Sequence, residues 1–368
     1  MTTFDDIYAW VKDLPVVDWH NHLDLAWIEA DLPLGSLYEV WVKADPYKHR
    51  AMRICGEAER VITGDASEDE KWAAWMRTLP KLVGTPVFAW AQMETAFLGL
   101  DTSAYLHGEG EDVSLADWSP RKMLKAFKAE YYDPGYRMNA GDVPDFMAMK
   151  RVDARGGRVL DVSVDDVSAL TTPGEGLSML AGAVRFAAEH GWTMLLHLGA
   201  LRATSARLRA AAGPAGGFAA MRAPVDPAAV ASFLNACEAD GILPRTILLT
   251  LNPEAHAQLA VLAGSFTGEG LGGKVQLGPA WWWCDHREGI VDVLEKNAAY
   301  GVLSTFVGMT TDSRSLLSFV RHDYFRRVFS QWLAAKVASG EYPDDEALLR
   351  PLAEGVCYGN AKAMVTAC

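Results

Sequence analysis

The sequence predicts an α/β fold of the (β/α)8-barrel class, folded as a single domain over residues 1–368. Three observations carry this prediction. Near-continuous apolar runs recur along the chain, as in parallel strands buried on both faces. Helical stretches separate them, as in repeated βα units. Residues able to bind a metal stand at the ends of several runs, where barrel active sites are built.

The first run, residues 14–19, ends in His20-Asn21-His22. Pro15 lies near its start, where a strand tolerates proline. Strand side chains alternate sides, so His20 and His22 point one way and Asn21 the other. Two imidazoles converging at a strand end make half of a metal site. Asp18, just before them, is placed to orient a ligand. A lone His-x-His is a weak signal, but later strand ends strengthen it. Residues 192–196 lead into His197, and residues 301–308 lead on to Asp312. Residues 245–251 and 274–278 supply two further strands, and residues 85–90, 129–132 and 158–162 read as the second, third and fourth.

Residues 4–13 read as an amphipathic helix. Residues 23–82 are too long for a simple connection and hold helices near 35–60 and 68–82, so they are expected to form an insertion over the barrel mouth. A helix begins near residue 122, and residues 206–227, rich in Ala, Gly and Pro, read as a long loop after the fifth strand. Helices at 323–338, 344–354 and 358–366 close the chain.

Composition narrows the function. A barrel needs about 250 residues, and this chain of 368, half of it hydrophobic, has enough for a barrel and elaborated loops. The net charge of −13 argues against nucleic acid, which favours a basic face, and weakly against anionic lipid. No stretch approaches the about 18 uninterrupted apolar residues of a membrane span. The first residues do not read as a secretory signal. Cys55, Cys237, Cys284, Cys357 and Cys368 form no CxxC pair and no disulfide framework, which points to a reducing, cytoplasmic setting.

Several segments resemble the uronate isomerases of the amidohydrolase superfamily. The strongest match runs from Thr311-Asp312-Ser313-Arg314 through Arg321-His322-Asp323-Tyr324. Others are Leu196-His197-Leu198-Gly199-Ala200-Leu201-Arg202, Tyr47-Lys48-His49-Arg50-Ala51-Met52-Arg53 and Gly278-Pro279-Ala280-Trp281-Trp282-Trp283-Cys284-Asp285. A further one joins Leu243–Pro253 to Gly268-Glu269-Gly270 and Gly273-Lys274-Val275-Gln276, and Cys357-Tyr358-Gly359-Asn360-Ala361-Lys362 also fits. The resemblance covers both ends well and the centre poorly.

The resemblance implies aldose–ketose isomerisation of a hexuronate or related sugar acid. A proton then moves between adjacent carbons, which needs a base, an acid and stabilisation of an oxyanion. His20, His22 and Asp312 would hold one divalent metal, zinc or alternatively manganese, with His197 either a further ligand or a substrate contact. Asp312, His197, Tyr47 and Arg314 are the catalytic candidates, and Arg202, Arg50, Trp281 and Trp282 the substrate-binding ones. Each has a plainer reading. Asp312 suits a helix cap, His197 a satisfied core histidine, Arg314 a surface ion pair, Tyr47 an interface aromatic, and the tryptophans core packing. The same site also suits metal-assisted hydrolysis of an ester, amide or lactone, or decarboxylation, and without catalysis a sugar-acid sensor. A small carboxylate substrate and a homo-oligomer are expected, with neither nucleic acid nor membrane as a partner.

The sequence departs from the family pattern at the substrate. The histidine usually found before Tyr47 is replaced by Pro46, and only Tyr132-Asp133-Pro134 stands for an acidic motif after the third strand. Aligned on residues 143–150, the family's sugar-acid arginine falls at Met147. Weak turnover of common hexuronates is the expectation unless Arg50, Arg53, Arg202 or Lys150 replaces that cation.

Overall fold

A computed structural model describes residues 1–366 apart from Pro173, Ala215 and Pro224. Cys368 lies outside them, and among the described residues the other four cysteines form no disulfide. The strands are β1 (Val16–Val17), β2 (Ala129–Tyr131), β3 (Tyr136–Asn139), β4 (Val159–Val164), β5 (Thr193–Leu198), β6 (Ala200–Leu201), β7 (Ala220–Met221), β8 (Arg245–Thr250) and β9 (Val275–Leu277). A parallel sheet runs β3-β4-β5-β8-β9, a second parallel pair joins β1 to β2, and β6 and β7 form a small antiparallel pair.

Both faces of the main sheet are buried, which explains its unbroken apolar strands. Leu160, Val162, Met194, Leu196 and Leu248 face the helical layer. Val159, Leu195, Ile247 and Leu249 face inward, against Trp19, Trp281 and Val307. The register carries polar residues onto that inner face. Arg137 is opposite Asp161, and Ser163 is opposite His197.

Two strand expectations are corrected. Residues 85–90 open a helix, Pro86–Phe97. Thr85 caps it by accepting from the Phe88 amide, and Pro86 takes the first helical position, where its missing N–H costs nothing. The expected last strand, residues 301–312, is a short 3-10 turn, Leu303–Thr305, followed by an extended segment outside any ladder. Side-chain oxygens replace the missing backbone partners. Val307 donates to Gln276 Oε1, and the Thr311 amide donates to Asp18 Oδ1. Beyond it, Asp312 N donates to the His20 carbonyl at 3.1 Å and His22 N to the Ser313 carbonyl at 2.8 Å. Gly308 permits this path: its φ is +71°, and a Cβ there would lie 2.0 Å from the Val356 carbonyl oxygen.

Between β1 and β2 helices recur from Leu25 to Ala126, and these helices build their own core around Trp41, Trp75, Trp90 and Leu79. That core also includes Leu316, Leu317 and Phe319, so it is continuous with the segment after Asp312. The stretch 206–227, expected as a loop, contains the helix Ala206–Ala212, capped by Ser205, as well as β7. The long helix Val320–Ala338 packs against Phe4–Val11 and the helix Arg287–Tyr300.

Candidate functional site

Five side chains come together from β4, β5, the residues just after β1 and the extended segment that ends at Asp312. His20 Nε2 and His22 Nε2 lie 2.9 and 2.8 Å from the same oxygen, Asp312 Oδ1. The other Asp312 oxygen accepts from Trp281 Nε1 at 2.7 Å. On the far side of His20, Asp161 accepts from His197 Nδ1 at 2.7 Å, and its second oxygen lies 3.9 Å from His20 Nδ1. His20 is therefore common to two clusters, His20–His22–Asp312 and His20–Asp161–His197, with ligand atoms in each within 4.8 Å of one another.

These residues fit a divalent cation. His20 Nδ1 and His197 Nε2 are buried without a hydrogen-bond partner among the described residues, which is costly for a polar atom unless something else satisfies it. Imidazole nitrogen and carboxylate oxygen are the ligands zinc prefers after thiolate. Burial by itself raises the Asp312 and Asp161 carboxyls, but the neighbouring imidazoles outweigh it and hold both below the ordinary range. Burial lowers His197, and Asp161 only partly opposes this.

Asp18 does not touch the imidazoles' side chains. Its carboxylate accepts from Thr310 Oγ1, Thr311 N, Thr311 Oγ1 and His322 Nε2. It thereby fixes the backbone on which Asp312 sits, and Asp312 itself has a left-handed φ of +48°.

The cluster opens into a cavity of about 810 Å³, lined among others by Trp281, Trp282, Arg202, Arg137 and Arg151. An adjoining lobe of about 200 Å³ shares His22, Arg202, Trp282 and Asp312 and adds Tyr47 and Arg314. Arg202 stacks on Trp282 and is tied to Asp165 at 2.9 Å. Gly217 closes this lobe against Pro46. Its φ is +81°, and a Cβ would meet the Pro46 carbonyl oxygen at 2.2 Å. Arg50 is not in either lobe; it stacks on Trp283 in a separate recess with Ile54 and Leu82. Met147 is exposed on the helix Phe146–Ala154, and Pro46 starts the helix Pro46–Ile54.

Tyr47 is buried, and its hydroxyl donates to Asp285 Oδ2 at 2.7 Å. Burial raises the Tyr47 phenol well above its ordinary value, and Asp285 adds to this. Burial also lifts Asp285 to about 7, although the Arg321 guanidinium opposes it. Arg321, itself buried, lies over the rings of Tyr47 and Trp90.

Sequence reasoning missed Asp161 and Arg137. Asp161 had a signal, since an acid in the middle of an apolar strand must be paired if it is buried. Arg137 had none until the β3 register was known.

A sequence model of glucuronate isomerase matches residues 2–106 and 175–365. The chain belongs to the glucuronate isomerase family. Two relatives agree. The uronate isomerase of Bacillus licheniformis is 32% identical over 441 aligned positions, covering 96% of this chain and 93% of its own. That of Geobacillus thermodenitrificans is 31% identical over 449, covering 96% and 94%. Among solved structures, a uronate isomerase from Thermotoga maritima superposes with a TM-score of 0.79 at 24% identity, covering 98% of this chain and 96% of that one. A glucuronate isomerase from Caulobacter crescentus gives 0.77 at 21%, covering 98% and 93%. These likenesses establish the uronate isomerase fold and thus the predicted fold class. As a member of the glucuronate isomerase family the chain is an isomerase. The family match skips residues 107–174, which contain β2, β3 and β4 and so both Arg137 and Asp161.

Proposed function

We propose that this isomerase interconverts a hexuronate aldose and its ketose at a single divalent metal, zinc or alternatively manganese, held by His20, His22 and Asp312. The observation that carries the metal reading is the convergence of both Nε2 atoms on one Asp312 oxygen, beside ring nitrogens of His20 and His197 that lack a partner among the described residues. When bound, the cation supplies Lewis acidity that stabilises negative charge on a substrate oxygen.

The side chains divide the remaining work. Asp161 holds the His197 proton on Nδ1, which leaves the Nε2 lone pair available to receive a substrate proton. Trp281 fixes the orientation of Asp312 through its indole N–H, and the indole ring lies against His197 with centroids 4.3 Å apart. Tyr47 directs its proton to Asp285, so it presents oxygen lone pairs to the cavity until that bond is given up. Arg314, from the adjoining lobe, offers a donor fork to substrate hydroxyls. Trp282 supplies an apolar wall.

Free cysteines support a reducing, cytoplasmic setting. Among the described residues no helix is long and apolar enough to cross a membrane. Exposed Val143, Phe146 and Met147 offer an apolar patch for the expected homo-oligomer.

The test is metal-replete protein on glucuronate and galacturonate in deuterated water. A ketose product with exchange at the transferred position supports the reading. Cleavage of an ester or lactone with incorporation of solvent oxygen, and no ketose, would replace it with a hydrolase.

A further inference from the structure

We propose that Asp285, buried behind Tyr47, is the final acceptor of a substrate hydroxyl proton that reaches it through the Tyr47 hydroxyl. The proposal rests on the isomerase reading above. In an aldose–ketose exchange one hydroxyl becomes a carbonyl and the neighbouring carbonyl becomes a hydroxyl. The carbon-bound proton has His197 to go to, but the oxygen-bound proton needs a holder of its own.

The geometry gives Tyr47 two sides. The residue lines the lobe that also holds His22, Asp312 and Arg314, while its hydroxyl donates to Asp285 Oδ2 at 2.7 Å. Asp285 is not in the lining of that lobe or of the large cavity; it borders the separate recess that holds Arg50, Trp283 and His286. It is therefore a positioning residue, which acts on substrate through Tyr47.

The charges around Asp285 favour a proton there. Two buried cations, Lys48 and Arg321, serve three buried carboxyls, Asp45, Glu94 and Asp285. Lys48 lies 2.7 Å from Asp45 and 3.4 Å from Glu94. Asp45 also accepts from the amides of Tyr47 and Lys48, and Glu94 from the Trp41 indole. Arg321 lies 3.4 Å from Asp285, but it also donates to the Thr311 carbonyl and stacks on Tyr47 and Trp90. With all three acids ionised the cluster carries one negative charge too many, a costly state away from water. Asp285, served by the most divided cation, is the acid that takes up the proton. Burial and the nearby Asp312 raise it, against Arg321, to about 7, which suits a base at neutral pH. Burial also raises the Tyr47 phenol well above its ordinary value, so a free phenolate is disfavoured.

The relay avoids that phenolate. As a substrate O–H bond breaks and its proton bonds to Tyr47 Oη, the Tyr47 O–H bond breaks and its proton bonds to Asp285 Oδ2. Tyr47 stays a neutral phenol, and the negative charge passes from Asp285 to the substrate oxygen. The reverse shift delivers a proton to the neighbouring substrate oxygen as the ketose forms.

The test uses zinc-loaded full-length protein. Asp285→Asn keeps an acceptor for Tyr47 but cannot hold the proton. On glucuronate it is expected to lower kcat by about 100-fold or more, the usual worth of a positioned proton acceptor, with KM and zinc content little changed. Tyr47→Phe should lose at least as much, and the double variant no more than Tyr47→Phe alone, because one residue works through the other. Infrared difference spectra need no turnover. At about pH 6, below the value to which burial lifts Asp285, the wild type should show a protonated-carboxyl band that is lost in Asp285→Asn and shifted in Tyr47→Phe. An unchanged kcat in Asp285→Asn, losses that multiply in the double variant, or a wild type without that band overturns the proposal. If the band behaves as expected but the wild type converts neither glucuronate nor galacturonate, the isomerase reading is what fails, and the relay falls with it as a step of that reaction.

Discussion

The Tyr47 hydroxyl donates to the Asp285 carboxylate at 2.7 Å, joining the first turn of the helix Pro46–Ile54 to the end of the triple-tryptophan segment. Both partners are buried, and Arg321 packs over the tyrosine ring. The bond ties the helical region between β1 and β2 to the cavity wall.

This pair makes stability depend on pH. Burial lifts the folded Asp285 carboxyl to about 7, against about 3.9 for an unfolded aspartate. Between those values the folded chain keeps a proton that the unfolded chain releases. The resulting stabilisation is complete below about pH 4 and is lost as pH rises through about 7. Asp285→Asn, which keeps an acceptor for Tyr47, should flatten this part of the profile. Melting temperatures of the two proteins across that range measure it, and parallel curves would refute it.

Metal content separates ligands from substrate contacts. His20→Ala and His22→Ala should each lose bound metal and activity, since each removes one member of the ligand set. His197→Ala should lose more turnover than metal. Elemental analysis beside rate measurements decides this, and equal metal loss in all three variants would make His197 a ligand.

Trp281→Phe tests support of the site from behind. The substitution keeps the aromatic wall and removes the N–H that fixes Asp312 Oδ2. Metal affinity should fall by about 10- to 100-fold, the usual effect of losing such a partner, with the fold intact. Competition with a chelator gives the affinity, and an unchanged value would show that the indole serves only as packing.

Asp18→Ala should be among the most destabilising single changes. It leaves three buried donors, Thr311 N, Thr311 Oγ1 and His322 Nε2, without their acceptor, while Thr310 Oγ1 keeps the His20 carbonyl. At about 1–3 kcal/mol for each unsatisfied group, and with partial relaxation, a loss of at least about 3 kcal/mol is expected. Urea unfolding measures it. A loss below about 1 kcal/mol would mean that backbone contacts, not Asp18, hold the segment.

Much of this was legible in the sequence. His20, His22, His197 and Asp312 each follow an apolar run, and a barrel brings such ends together. The ladder partners were not legible, because pairing register has no local signature when both faces are apolar. Arg137 looked like any surface arginine for that reason. Residues 85–90 misled because a short apolar run suits a strand or a buried helix equally; the Thr85-Pro86 pair that opens it was the better clue. The segment leading to Asp312 read as a strand because it is apolar and extended, but its hydrogen bonds come from the side chains of Asp18 and Gln276. No pattern of hydrophobicity records that.

The left-handed backbone at Asp312 has an evolutionary consequence. Such a conformation is uncomfortable for most side chains, and asparagine tolerates it at least as readily as aspartate. Asparagine would also keep an oxygen for the Trp281 indole while removing the negative charge a cation needs. A lineage no longer selected for this reaction could therefore shed it through one base change at codon 312 with little disturbance to the fold. Silent paralogues of this protein should be sought first by asking what they carry at that position.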